Sequence, residues 1–167
     1  MEYRYFMGID PGKSGGIAVI NIRDNLVSVT PMIFDGKFID FHKMAQWIKA
    51  HCGYGINQAN AIGSTIVAIE KVNAMPGQGV VSMFSFGTSF GGMLGILAAL
   101  EIPTIMVPPQ RWKKFTLADT DKSKEAAITF CTMAYPNVNL RATERSKKPH
   151  SGICDALCIA YYACYTY

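Results

Sequence analysis

The segment Gly8-Ile9-Asp10-Pro11-Gly12-Lys13-Ser14-Gly15-Gly16 constrains the fold more than any other part of the chain. It follows the apolar run Tyr5-Phe6-Met7, so the pattern predicts a first strand that ends on Asp10. Pro11 and three of the segment's four glycines then force a tight turn. Residues 15–22 read as a second strand that returns beside the first. A carboxylate fixed at a strand end, beside bare backbone, can hold a metal ion near a phosphate. Metal-dependent nucleases use that geometry, and so do kinase-like phosphate-binding folds. The latter close two such domains over a nucleotide. A chain of 167 residues is expected to form a single domain, 1–167, which favours the nuclease.

The remaining pattern predicts an α/β layered sheet. Residues 26–33 read as a third strand, with Pro31 at its end. Phe38, Phe41, Met44, Ala45 and Ile48 recur at helical spacing over 38–51. Gly53, Gly55, Asn57 and Asn60 mark a loop. Residues 64–69 form a continuous β-prone run, expected to be buried on both faces, and end on Glu70. A helix is predicted over 80–100, a short strand over 104–107 stopped by Pro108-Pro109, and a helix over 123–134. Residues 136–149 are polar and basic, and are expected to be a loop. An apolar final helix is predicted over 153–165. Half of the residues are hydrophobic, enough to bury a sizeable core and to exclude disorder by composition.

The helix at 80–100 has a second reading. Its Gly87, Gly91, Gly92 and Gly95 give GxxxG spacing in an apolar stretch, as in a membrane span. Ser82, Ser85, Thr88 and Ser89, and the lack of flanking basic anchors, favour instead a buried helix with a small-residue face. No membrane partner is expected. The five cysteines are odd in number, form no CxxC and follow no signal peptide. They read as reduced thiols in a cytoplasm, bacterial or phage-infected, or in an organelle interior. His150, Cys154 and Cys158 share a helical spacing of four, but a fourth zinc ligand is not evident.

The charge distribution is compatible with a polyanion partner or with a solvated helix face. Nine of the sixteen basic residues lie between 111 and 148: Arg111, Lys113, Lys114, Lys122, Lys124, Arg141, Arg145, Lys147 and Lys148. Acids occupy three notable places. Asp10 and Glu70 each end a strand, and on neighbouring strands they project from one end of the sheet. Asp155 opens the last helix among apolar neighbours, where a lone acid is costly unless something positive pairs with it. Clustered carboxylates bind Mg²⁺. Two such ions roughly 4 Å apart can activate a water and stabilise the leaving oxygen of a phosphodiester. Asp10 would bridge them, with Glu70 and Asp155 each favouring one. A nearby lysine would stabilise the developing charge.

The ordered set Gly-Ile-Asp-Pro-Gly at 8–12, Ala-Ile-Glu-Lys-Val at 68–72 and Cys-Asp-Ala-Leu-Cys-Ile-Ala at 154–160 resembles the RuvC family of Holliday junction resolvases. The segment from Glu70 to Val80, containing Met75-Pro76-Gly77-Gln78-Gly79, resembles the phage and chloroplast-type branch. The similarity covers nearly the whole chain. It implies an RNase H-like fold: a mixed five-stranded sheet, its first three strands antiparallel, with helices on both faces. It implies a homodimer that makes paired symmetric nicks in a four-way DNA junction, with two Mg²⁺ ions per active site and Mn²⁺ as a substitute. Flaps, forks or a non-catalytic junction-binding role are the alternatives.

Carried over residue by residue, the resemblance makes Asp10, Glu70 and Asp155 catalytic metal ligands. It gives Lys122 the charge-stabilising role, with Lys113 as second choice. Bacterial members place a fourth acid or histidine three residues before the final Asp; here that position is Gly152, and His150 is the expected fourth ligand. Lys13, Ser14, Gln78, Arg111, Lys114, Lys124, Arg145, Lys147 and Lys148 are expected to bind DNA. Met75, Met83, Phe84 and Phe86 are candidates to wedge open base steps.

Overall fold

The computed structural model describes residues 3–52, 64–71, 73, 77 and 79–167. Its main sheet is built from β1 (Tyr5–Asp10), β2 (Gly16–Asn21), β3 (Leu26–Pro31), β6 (Thr65–Glu70) and β7 (Thr104–Val107). The strand order is β3-β2-β1-β6-β7. The first three strands are antiparallel neighbours, and β1, β6 and β7 run parallel. This is the predicted mixed sheet. Two further strands, β4 (Phe34–Asp35) and β5 (Phe38–Ile39), form a separate hairpin.

Among the described residues there are five helices: α1 (Phe41–His51), α2 (Val80–Ala99), α3 (Pro109–Thr116), α4 (Lys124–Ala134) and α5 (Ser151–Thr166). They cover both faces of the sheet. On one face Met44 and Ile48 of α1 and Met93 and Leu97 of α2 pack on Met7, Ile9, Val67 and Ile69. On the other, α3, α4 and α5 pack on Phe6, Ala18, Ile66 and Ala68. The centre of β6 is buried on both sides, as its unbroken apolar run requires. Each fully buried aliphatic side chain contributes roughly 1.5–3 kcal/mol relative to exposure.

Three elements differ from expectation. The helix predicted from residue 38 starts at Phe41, because Asp40 caps it: its side chain accepts from the Lys43 amide at 2.9 Å. Gly36, at φ 58°, instead turns residues 34–39 into the small hairpin. The Pro108-Pro109 pair does not only stop β7; Pro109 occupies the first turn of α3, where its missing N–H costs nothing. And α2 is not a buried helix. Its buried residues are Ser89, Met93 and Leu97, while Val80, Val81 and Phe84 are largely exposed. By length and composition it is long and apolar enough to cross a membrane, yet those three residues hold it against the sheet.

Close backbone contact seats α5. A Cβ on Gly8 would lie 2.0 Å from the Ala156 carbonyl oxygen and 2.3 Å from the Ala160 nitrogen. A Cβ on Gly152 would lie 2.0 Å from the Ser14 carbonyl oxygen and 2.5 Å from the Gly15 Cα. The helix therefore rests directly on the main chain of β1 and of the turn behind Asp10.

Candidate active site

The sheet register brings the strand-end acids together. Ile9 pairs with Ile69 on adjacent parallel strands, so Asp10 and Glu70 are the next residues at the same end of the sheet. Asp155 lies in the second turn of α5, which begins at Ser151, two residues before its predicted start. All three carboxyls are half-buried. Burial is the largest influence on each and holds each above its ordinary range. Glu70 is pushed up to about 7 and Asp155 to about 6. Asp10 and Asp155 repel Glu70, and Asp10 repels Asp155, which adds to the rise. The three carboxyls therefore lie within electrostatic reach of one another.

Each acid has an orienting partner or a cation. Asp10 Oδ1 accepts from the Gly12 amide at 3.1 Å, so the glycine turn fixes its rotamer. Glu70 Oε1 accepts from the indole Nε1–H of Trp112 at 2.9 Å. Trp112 is itself 1% exposed. The Lys113 ammonium sits 5.3 Å from the centroid of that indole, within cation–π reach. Lys113 lowers the pKa of all three acids, and Lys124 lowers those of Asp10 and Asp155. Lys122 is not among the leading influences on any of them. It is exposed, lies in a turn at φ 57°, and donates its amide to Thr120 Oγ1.

His150 caps α5. Its Nδ1 accepts from the Ile153 amide at 3.3 Å. Only Nε2 is left for another ligand. The glycine at 152 also has a physical reason: the clash with Ser14 and Gly15 leaves no room for a side chain. A fourth acid at that position is incompatible with this turn.

Among the described residues, no three acid, histidine or cysteine side chains are already gathered as a metal cluster. The donor set nevertheless fits a hard divalent cation. Three desolvated carboxyls that repel one another are stabilised by a shared positive ion. Cys154 and Cys158 are buried, and the Cys158 thiol faces Cys131 Sγ at 3.7 Å, which places both in the core.

The expected DNA-binding residues lie on several elements. Lys13 and Ser14 are exposed in the turn just past Asp10. Arg111 and Lys114 are exposed on α3, Lys124 on the first turn of α4, and Arg145, Lys147 and Lys148 on the segment leading into α5. Phe84 is 75% exposed. Met75 and Gln78 lie outside the described residues, as does the loop expected at 53–60. Trp112 is a site residue that the motifs do not single out, since the lysines beside it carry the family pattern. Its signal was present: a Trp at a buried helix position needs a partner for its N–H.

Two solved structures share this architecture. One is Thermus thermophilus RuvC in complex with a Holliday junction substrate: 17% identity, 92% of this chain and 89% of that chain covered, TM-score 0.54. The other is Thermus thermophilus RuvC, at 16% identity, 94% and 93% coverage and a TM-score of 0.50. No family model and no curated protein matches the sequence. The chain has a RuvC-like fold.

Proposed function

From this fold and its acid cluster, we propose that the chain is a divalent-cation-dependent endonuclease that resolves four-way DNA junctions as a homodimer. The observation that carries the reading is the convergence of Asp10, Glu70 and Asp155 from β1, β6 and α5 on one end of the sheet. The similarity to a RuvC bound to a Holliday junction supports the substrate class. Asp10, Glu70 and Asp155 would hold Mg²⁺, or Mn²⁺ in its place, with His150 Nε2 as the remaining donor. The bound cations supply Lewis acidity for hydrolysis of a phosphodiester. Trp112 keeps Glu70 aimed at the site. Lys113 and Lys124 stabilise the negative charge that develops on the phosphate, a role their effect on the acids favours for them over Lys122. The exposed basic residues of α3, of the start of α4 and of the segment before α5 hold the DNA backbone.

The outer face of α2 is the proposed contact between two copies. Gly87, Gly91 and Gly95 recur every fourth residue along it, and a Cβ at any of them would meet no atom within 4 Å. Two acid sites related by a two-fold axis suit a junction of the same symmetry.

Asp10→Asn, Glu70→Gln and Asp155→Asn are each expected to abolish Mg²⁺-dependent nicking while junction binding persists. The assay compares four-way junction, flap, Y-fork and linear duplex. Paired symmetric nicks on the junction support resolution. Equal cutting of all four substrates would defeat the substrate assignment, and full activity in any acid variant would defeat the site.

A further inference from the structure

Between the β4–β5 hairpin and the N-terminal half of α2 lies a groove of about 300 Å³ whose walls include Lys13, Phe34, Lys37, Phe38, Phe41 and Phe84. Its chemistry is selective. Among the described residues it is lined by four phenylalanines and two lysines, and by no carboxylate. Packing does not account for two of the aromatic rings: Phe38 and Phe84 are each 75% exposed. Aromatic walls with a cationic rim suit a planar ring joined to an anion.

The groove is also tied to the acid site. Lys13 stands three residues past Asp10 in the same turn. Ser89, buried at the groove floor, donates its hydroxyl to the carbonyl of Pro11, the residue that follows Asp10. One hydrogen bond thus links the helix that forms the groove to the turn that carries the acid. A strand passing over Asp10 would meet Lys13 next and then the aromatic walls.

We propose that this groove receives one unstacked nucleotide of the bound DNA strand, with its base against Phe38 and Phe84 and a flanking phosphate at Lys13 or Lys37. The assignment rests on the branched-DNA reading and adds to it a base-accepting site beside the cleavage site. Unpaired bases near a crossover are the least costly to unstack, which suits such a pocket to a junction.

The test is an abasic scan. Junctions that lack one base at successive positions around the crossover are bound in the absence of divalent cation, so that no strand is cut. For the wild-type protein, one position is expected to weaken binding roughly tenfold, the size of one base–aromatic stack. In Phe38→Ala and Phe84→Ala that position should cease to matter, and intact junction should bind as weakly as the abasic one. Both side chains are exposed, so these variants are expected to fold. A flat scan for the wild-type protein, together with normal junction cleavage, would overturn the groove and leave the nuclease reading intact. Loss of self-association in Phe38→Ala, measured by sedimentation, would overturn it in favour of an interface between copies. No junction preference and no cleavage in the wild-type protein would defeat the parent reading instead.

Discussion

At the scale of single residues, the acids make the metal-free fold sensitive to pH. In the folded state Glu70 keeps its proton up to about pH 7, against an ordinary value of 4.5. Asp155 keeps its proton up to about 6, against 3.8. The folded state therefore binds more protons than the unfolded chain between those limits, and stability falls as pH rises through them. The melting temperature of the metal-free protein is expected to drop between about pH 4 and pH 7. Mg²⁺ should reverse the drop, most strongly at the upper end, where the acids are ionised. Glu70→Gln should flatten the profile. An unchanged slope in that variant would assign the titration to other groups. Asp10 and Glu70 were legible as a pair because each ends a β-prone run, and a strand end is a position that pattern reading locates well. The partner of Glu70 was not legible. Trp112 reaches it across 42 residues of chain, and no local spacing encodes such a contact.

At the scale of elements, the seat of α5 decides where Asp155 stands. Gly152→Ala would drive a methyl group into the Ser14 carbonyl, at a cost of about 1–3 kcal/mol if the turn yields as overpacked cores do. Urea denaturation measures the loss. Nicking should fall as well, because the turn that must shift is the one that orients Asp10. Wild-type stability in Gly152→Ala would mean that α5 can lift from the turn. The same contact explains a limit of motif transfer. From the sequence, Gly152 reads as a missing acid; in the fold it is the residue that lets the helix approach. The helix at 109–116 escaped pattern reading for a related reason. Two prolines mark a strand end more plainly than a helix start, although the fixed φ of Pro109 serves both. The hairpin at 34–39 hinges on one glycine with positive φ, which the helical spacing from Phe38 had masked.

At the scale of the whole molecule, α2 carries two features: its N-terminal half lines the aromatic groove, and Gly87, Gly91 and Gly95 form a row along its outer face. If the glycine row joins two copies, Gly91→Leu should hold their backbones apart. Sedimentation is expected to show a monomer, and junction cutting should change from paired nicks to single, uncoordinated ones. A dimeric Gly91→Leu protein would move the interface elsewhere. The layered α/β class was legible because buried strands and amphipathic segments alternate along the chain, whereas the mixed five-stranded sheet came from the family resemblance. The exposure of α2 was not legible, since an apolar helix reads alike whether it meets its own core or another surface.

The contact of α5 with β1 has one more consequence. Where Gly8 meets Ala156 and Ala160, no side chain stands between the two backbones. The spacing from Asp10 to Asp155 is therefore gauged by main chain against main chain, like two machined faces without a shim. Exchanging Ile for Val or Met elsewhere in either core alters volume but leaves that gauge untouched. Two chains that share only 17% of their residues can in this way hold the same ground plan, provided that the few positions where backbone meets backbone stay bare.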